Sequence, residues 1–112
     1  MKTQVLPNNV VVIYPKGRLI GGSETDELQT AIHQQAESGN VKLILNLKDV
    51  SYLNSTAIGV IMAGFTNYQK RGGKMKLCNL SDSIENIFVI TKLTLVFEVF
   101  NNELEAVASF AS

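Results

Sequence analysis

Residues 41–73, VKLILNLKDVSYLNSTAIGVIMAGFTNYQKRGG, contain the pattern that decides the fold of this chain. The apolar run at residues 41–47 predicts a strand with both faces covered. A short polar turn then leads to a helix that we expect from about Ser55 to Arg71, and Gly72 and Gly73 end it. A strand that feeds a helix in this way is the repeating unit of α/β proteins.

The start of the predicted helix carries hydroxyl groups, in the run Asn54-Ser55-Thr56. A helix start presents backbone N–H groups without intrahelical partners and the positive end of the helix dipole. A phosphate attached to a hydroxyl here would therefore be well accommodated. A plain helix cap by Asn54 or Ser55 accounts for the same residues. The run indicates a regulatory switch as readily as an active site, and the residues alone leave both open beside the cap.

Strands and helices are predicted to alternate along the rest of the chain. We expect a strand at residues 10–14 that pairs with residues 5–6 and resumes at 17–20, and further strands at 74–80 and 95–100. The other helices are expected to start at Ser23 as a cap, at Asp82, and after Asn101 and Asn102. The order predicts one α/β domain over residues 1–112, with a mixed four- to five-stranded β-sheet and about four α-helices mainly on one side.

The helix that follows Asn54 has two predicted faces. Its inner stripe is expected to consist of Ile58, Ile61, Met62, Phe65 and Tyr68. A second face of small apolar residues is expected to pack closely against a neighbouring helix; it consists of Gly59, Val60, Ala63 and Gly64. The terminal helix is expected to turn Leu104, Val107, Ala108 and Phe110 inward.

The composition of the chain limits the classes of partner that we expect. The 112 residues include 10 basic and 10 acidic side chains, for a formal net charge of 0, which argues against nucleic acid as a partner. The densest basic stretch, Lys70-Arg71 with Lys74 and Lys76, is predicted to be solvated charge near a helix end. No run is long enough to cross a membrane and no signal peptide is visible, so we expect a cytoplasmic chain without membrane insertion.

Few residues carry the chemistry that an enzyme needs. Cys78 is the only cysteine and lies in a predicted strand, so it is expected to be a buried, inert thiol. His33 is the only histidine, and its polar neighbours predict a surface position. One histidine and one cysteine are too few for a zinc site, and no nucleotide-binding glycine pattern is present. We therefore expect no enzyme, no metal and no cofactor.

Taken together, these segments resemble the STAS domain family, of which anti-sigma factor antagonists are small single-domain members. The resemblance is carried by residues 43–61, where NSTAIG at 54–59 matches a family motif of Asp-Ser-Ser-Gly-Leu-Gly that opens a helix. Residues 72–81 and 84–100 resemble the following strand, third helix and last strand, and residues 17–19 resemble the exit of the second strand. The resemblance implies a STAS-like single domain.

The resemblance also implies a function. In that family the first serine of the motif accepts phosphate from a serine kinase that is also the anti-sigma factor, and by position that residue is Ser55. The unmodified chain would bind the kinase and so free a sigma factor, and phosphorylation would end the binding. A serine phosphatase that acts on phosphorylated Ser55 is a further implied partner. The implied partner-binding residues are Tyr52, Asn54, Ser55, Thr56, Ala57, Gly59 and Asp82.

The chain departs from the family motif at three places within it and at one beyond it. Asn54 replaces Asp, Thr56 replaces the second Ser, Ala57 replaces Gly, and Lys92 stands where the family often has Gly. Asn54 and Ala57 leave an alternative open, a constitutive STAS scaffold or transporter-accessory protein without phosphoryl control. A small-ligand or nucleotide-binding module at the same helix start is the second alternative.

Overall fold

The computed structural model describes residues 1–111, which form seven strands and four α-helices. The strands are β1 (Lys2–Val5), β2 (Val11–Tyr14), β3 (Lys16–Leu19), β4 (Lys42–Asn46), β5 (Asp49–Leu53), β6 (Lys74–Cys78) and β7 (Val99–Phe100). The α-helices are α1 (Ser23–Glu37), α2 (Ser55–Lys70), α3 (Asp82–Ile90) and α4 (Glu103–Ser109).

Five of the strands form one sheet in the order β1-β2-β4-β6-β7. β1 runs antiparallel to β2, and the other neighbours are parallel. The sheet is mixed because a tight turn around Pro7–Asn9 joins β1 to β2, whereas helical connections separate the parallel strands. The predicted α/β class with a mixed sheet is confirmed, with five strands in the main sheet.

The side chains of β4 alternate between two cores, one on each face of the sheet. Leu43 and Leu45 face the larger core, which α1, α2 and α3 close, and Ile44 faces a smaller core that α4 closes. All three are fully buried, which explains the nearly continuous apolar run of this strand. Three helices therefore lie on one side of the sheet, as expected, and α4 lies on the other.

β3 and β5 form a separate two-stranded parallel ribbon, and two predictions are wrong here. Residues 17–20 were predicted to continue the strand at residues 10–14, but they do not join the same sheet. Pro15, which has no N–H for a strand ladder, separates β2 from β3. The predicted polar turn after β4 is largely strand: Val50 and Leu53 are buried, and the residues between them are exposed.

Helix α1 begins one residue earlier in register than predicted. Gly22 precedes the helix, so Ser23 is its first residue rather than its cap. Thr25 makes the local contact instead, because its buried hydroxyl accepts a hydrogen bond from the Gly21 N–H at 2.9 Å. The side chain that stabilises this turn therefore lies inside the helix and reaches back to the loop.

The later elements agree with their predictions in part. α3 starts at Asp82, as predicted, and Ser81 caps it, with its hydroxyl 3.4 Å from the Ile84 N–H that donates to it. The predicted last strand is shortened to β7, because Leu93–Leu95 forms a 3-10 turn. Asn102 caps α4 as expected, and its side chain accepts from the Glu105 N–H at 2.9 Å.

Helix α2 buries a face that is rotated from the predicted stripe. Its buried residues are Ala57, Ile61, Gly64 and Tyr68, and its half-buried apolar residues are Ile58, Val60, Met62 and Phe65. Gly64 provides the close approach to a neighbouring helix, since a Cβ atom there would lie 2.9 Å from Ile32 Cγ2 of α1. Gly59 and Ala63 are exposed and take no part in that contact.

The basic stretch and the terminal helix require two further corrections. Lys76 is not a solvated charge, because β6 turns its side chain into the smaller core, where it is only 5% exposed. Arg71 ties the end of α2 to α1 by contacting a Glu37 carboxylate oxygen at 2.7 Å. Leu104, predicted to face inward, is 79% exposed, and Ala106 is the buried residue of α4.

Candidate functional site

The predicted site lies where the ribbon strand β5 ends and α2 begins. The Asn54 N–H donates to the Leu19 carbonyl oxygen at 3.1 Å, which fixes the start of α2 to the end of β3. The Asn54 side-chain oxygen accepts from the Ala57 N–H at 3.0 Å. The backbone carbonyl oxygen of Asn54 accepts from the Ile58 N–H at 3.0 Å. Asn54 is therefore the helix cap.

Ser55 is the first residue of α2 and is exposed. Within residues 1–111 its hydroxyl has no hydrogen-bond partner, and neither do the backbone N–H groups of Ser55 and Thr56. These two N–H groups are the ones that capping by Asn54 leaves unsatisfied. The hydroxyl is thus accessible, is not used by the fold, and stands beside two unpaired donors.

The electrostatic setting of α2 differs from that of the other helices. α2 has no acidic residue in its first turn, whereas each of the other three α-helices of the described chain has two. Acidic residues in a first turn offset the positive end of the helix dipole. Among the four α-helices of the described chain, α2 is therefore the one whose positive dipole end is not offset by an acidic residue in its own first turn.

A glycine loop lies directly against the second hydroxyl residue. A Cβ atom on Gly21 would be 3.4 Å from Thr56 Cγ2, so the loop before α1 touches the first turn of α2. Gly21 has φ +91°, a left-handed conformation that suits glycine. Thr56 is exposed on one side but is flanked by this loop, so its surroundings are more crowded than those of Ser55.

The other predicted contact residues fall into two groups. Tyr52 and Gly59 are exposed, and Tyr52 stacks against Arg18, whose guanidinium carbon lies 5.2 Å from the ring centroid. Asp82 is exposed at the start of α3, which packs against β5. Ala57 is fully buried, so the structure places its methyl group in the core and not on the surface with the other predicted residues.

Sequence reasoning missed the contribution of β3 to this surface. Arg18 and the 48%-exposed side chain of Ile20 flank the site, although they precede it by more than thirty residues in the chain. No local sequence pattern identifies them, because it is the pairing of β3 with β5 that places Arg18 opposite Tyr52. That pairing was not predicted because residues 49–53 were assigned to a turn.

The other chemically notable residues lie elsewhere. His33 is exposed on α1, as predicted. Cys78 is fully buried, and burial raises the pKa of its thiol to about 12. Among residues 1–111, no three His, Cys, Asp or Glu side chains come together as a metal site, and no helix is long and apolar enough to span a membrane.

Comparison with known proteins gives one family. The family model described as the STAS domain matches residues 2–106. The anti-sigma-B factor antagonist of Bacillus subtilis is 42% identical over 64 residues, which are 57% of this chain and 58% of that protein. Its counterpart in Listeria monocytogenes is 37% identical over 71 residues, 63% and 61% of the two chains. The match thus covers less than two thirds of each of these relatives.

Solved structures share the fold over nearly the whole chain at low identity. A Thermotoga maritima protein superposes with a TM-score of 0.91 at 20% identity, covering 99% of this chain and 94% of that one. SpoIIAA of Bacillus in its phosphorylated form gives 0.76 at 19% identity and 97% coverage of both chains. The STAS domain of a SulP transporter from Vibrio cholerae gives 0.70 at 18% identity, with coverage of 95% and 84%.

Proposed function

Because this chain belongs to the STAS domain family, we propose that it is an anti-sigma factor antagonist that is switched by phosphorylation of Ser55. The unphosphorylated chain binds an anti-sigma factor that is also a serine kinase, and this binding frees a sigma factor. The relatives named above are antagonists of another protein by name, and none of those names describes an enzyme. The proposed role is that of a protein-binding switch that acts in the cytoplasm.

One observation carries the proposal: the exposed, unbonded Ser55 hydroxyl at a helix start with no acidic residue in its first turn. A phosphate on this hydroxyl would stand beside two unpaired N–H groups and an uncompensated dipole. The fold would therefore tolerate the modification. A binding partner that must exclude water from the same surface would not, because burying nearly two negative charges is costly.

Two departures from the family motif fit this mechanism. Asn54 keeps the cap with a neutral amide, so no carboxylate repels a phosphate on the adjacent residue. Ala57 adds a methyl group to the motif, but this group is buried in the core and does not obstruct a partner at the surface. We therefore assign contact with the partner to the exposed residues Tyr52, Ser55, Thr56, Gly59 and Asp82 and to the half-buried Asn54.

A constitutive scaffold or transporter-accessory role is the second candidate. It is favoured by the shared fold of the SulP transporter domain and by the neutral Asn54, which is a cap that functions without any phosphate nearby. The two roles differ in one outcome. A scaffold would bind its partner equally well whether or not Ser55 carries a negative charge.

The test uses purified chain, a serine kinase of the anti-sigma type encoded near it, and ATP. Intact mass and peptide mapping should show one phosphoryl group on Ser55, and the Ser55→Ala variant should stay unmodified while still binding the kinase. Thr56→Val is the matched control, because it removes the neighbouring hydroxyl and should leave phosphorylation unchanged. Treatment with a serine phosphatase should restore binding. Modification of Thr56, or of neither residue, would reject the proposed switch.

A further inference from the structure

Helix α4 covers the second face of the sheet with few large apolar side chains of its own. Beneath it Val10, Val12, Ile44 and Cys78 are almost completely buried. From α4 itself only Ala106 is fully buried, and Val107 and the following Phe110 are partly buried against the same cluster. Leu104, the largest aliphatic side chain of the helix, points to solvent. The helix itself therefore contributes a single fully buried apolar side chain to this core.

Two polar contacts hold the helix at its ends, and the first involves Glu103. One carboxylate oxygen of Glu103 accepts from the Tyr14 hydroxyl at 2.6 Å and from the Asn46 amide at 3.1 Å. Asn46 is buried, so this carboxylate satisfies a donor that has little access to water. Burial and the hydrogen bond to Glu103 raise the pKa of Tyr14 above its ordinary value, so its hydroxyl stays protonated to higher pH than an exposed tyrosine would.

The second polar contact involves Lys76, at the other end of the helix. Its ammonium donates to the Ser109 hydroxyl at 2.8 Å and lies 3.5 Å from a Glu98 carboxylate oxygen. The same ammonium sits 4.2 Å from the ring centroid of Phe110. A charge that is 5% exposed is thus paired with Glu98, which lies outside α4, and is further contacted by Ser109 of α4 and by Phe110 just after it.

We propose that α4 is a detachable cover that opens as a unit while the sheet and α1, α2 and α3 stay folded. Hydrogen bonds and ion pairs between protein groups exchange for bonds to water at small net cost, whereas apolar burial does not. A seven-residue helix is also too short to be stable by itself, so it depends on its docking. The exposed residues Asn101 and Asn102 connect it to the two-residue strand β7.

Cys78 reports opening of this cover, because α4 lies over it and it is the only cysteine of the chain. We would measure its reaction with an aromatic disulfide reagent at low concentration, in the whole chain, over a series of urea concentrations below the unfolding transition. Local opening exposes little surface and gives a shallow dependence of the labelling rate on urea; global unfolding gives a steep one. We expect the shallow dependence, with a slope below about half the equilibrium m-value.

A pair of variants tests whether the polar contact of Glu103 holds α4 closed. Glu103→Ala leaves the buried Asn46 amide without its acceptor while α4 is closed over the sheet, and leaves the Tyr14 hydroxyl only the Gln4 side-chain oxygen at 3.0 Å. Labelling of Cys78 should therefore accelerate at least about tenfold. Glu105→Ala is the matched control, since it removes the same residue type from the same first turn but from an exposed position. It should change the rate less than about twofold.

Hydrogen exchange by mass spectrometry supplies an independent measurement. The amides of α4 should exchange together, well before those of α2, and Glu103→Ala should increase exchange in α4 alone. A labelling rate that follows the equilibrium m-value at every urea concentration would overturn the proposal. So would a shallow dependence that Glu103→Ala leaves unchanged, because the polar contact would then not hold the cover closed.

Discussion

Gly64 of α2 and Ile32 of α1 meet where the two helices cross, and a Cβ atom on Gly64 would lie 2.9 Å from Ile32 Cγ2. It would also lie 2.7 Å from Met75 Cε. Replacement of Gly64 by Ala should therefore force the helices apart and destabilise the protein by about 1–3 kcal/mol. Gly59→Ala is the matched control in the same helix, because a Cβ there meets nothing within 4 Å.

The control substitution, Gly59→Ala, should change the free energy of unfolding in the opposite direction. An exposed glycine inside a helix costs about 0.5–1 kcal/mol relative to alanine, so Gly59→Ala should stabilise the chain by that amount. Urea unfolding followed by far-UV circular dichroism measures both variants. If both substitutions shift the transition in the same direction, the helix crossing is not as close as described.

The cap of α2 should be measurable by itself. Asn54→Ala removes the acceptor of the Ala57 N–H and should cost about 1 kcal/mol of unfolding free energy. Asn54→Asp keeps an acceptor and adds a negative charge at the positive end of the dipole, so it should be neutral or slightly stabilising. A loss of stability in Asn54→Asp comparable to that in Asn54→Ala would show that this side chain does not act as a cap.

A negative charge at Ser55 should separate stability from binding. Ser55→Asp should unfold within about 1 kcal/mol of the parent, because helix starts accept acidic residues. It should nevertheless bind an anti-sigma kinase at least about tenfold more weakly, equivalent to about 1.4 kcal/mol. Isothermal titration calorimetry with parent, Ser55→Asp and Ser55→Ala gives the comparison, and equal affinities for parent and Ser55→Asp would favour the scaffold role.

Truncation of a core residue of α2 should lower the free energy of unfolding more than loss of the cap. Ile61 is 1% exposed between the helix and the sheet, so Ile61→Ala should cost about 2–5 kcal/mol through lost burial and the cavity left behind. Ala63→Gly is a useful reference, since Ala63 is exposed on the same helix and should cost only about 1 kcal/mol of helix propensity. A loss below about 0.5 kcal/mol for Ile61→Ala would contradict this packing.

The buried thiol predicts a dependence of stability on pH. In the folded chain burial raises the pKa of Cys78 to about 12, while in the unfolded chain the thiol ionises near its ordinary value of 9.0. The unfolded state therefore releases a proton that the folded state keeps, and stability falls as pH rises above about 9 by at most about 1.4 kcal/mol per pH unit. This contribution is fully present below the unfolded pKa.

The measurement compares slopes and not absolute stabilities. Unfolding free energies of the parent and Cys78→Ala at pH 8, 9 and 10 should diverge in their pH dependence, with the parent falling more steeply. Tyr14 and Tyr68, whose pKa values are also raised by burial, begin to contribute near pH 10, where they ionise in the unfolded chain, but they do so in both proteins and cancel in the comparison. Parallel pH profiles would mean that Cys78 is not shielded in the folded state.

The parts of the fold that the sequence predicted are those governed by local periodicity. The apolar run of β4 and the 3.6-residue pattern of α2 are long enough to identify each element. β5 was missed because its inward residues, Val50 and Leu53, are three apart and so do not alternate as strand residues should. The burial of Lys76 was also missed, since it depends on Phe110 and Ser109, more than thirty residues away in the chain.

The residues of the candidate site also divide into those that the sequence predicted and those that only the structure revealed. Asn54-Ser55-Thr56 follows from local capping rules, and the structure puts a cap and an exposed hydroxyl where those rules place them. Arg18, Ile20 and Gly21 join the surface through the pairing of β3 with β5 and the loop that follows. No local pattern encodes a pairing between strands separated by a helix, so these residues required coordinates.

The division between a residue that caps α2 and a neighbour that the fold does not use has a consequence for how this chain can change over generations. The fold constrains position 54, because losing its side-chain acceptor weakens the helix. The fold places no such constraint on position 55, so under the proposed switch a serine there would be kept by signalling alone. If the proposed switch operates, residue 55 should vary freely in a lineage that has lost the kinase, while residue 54 should stay a hydrogen-bond acceptor.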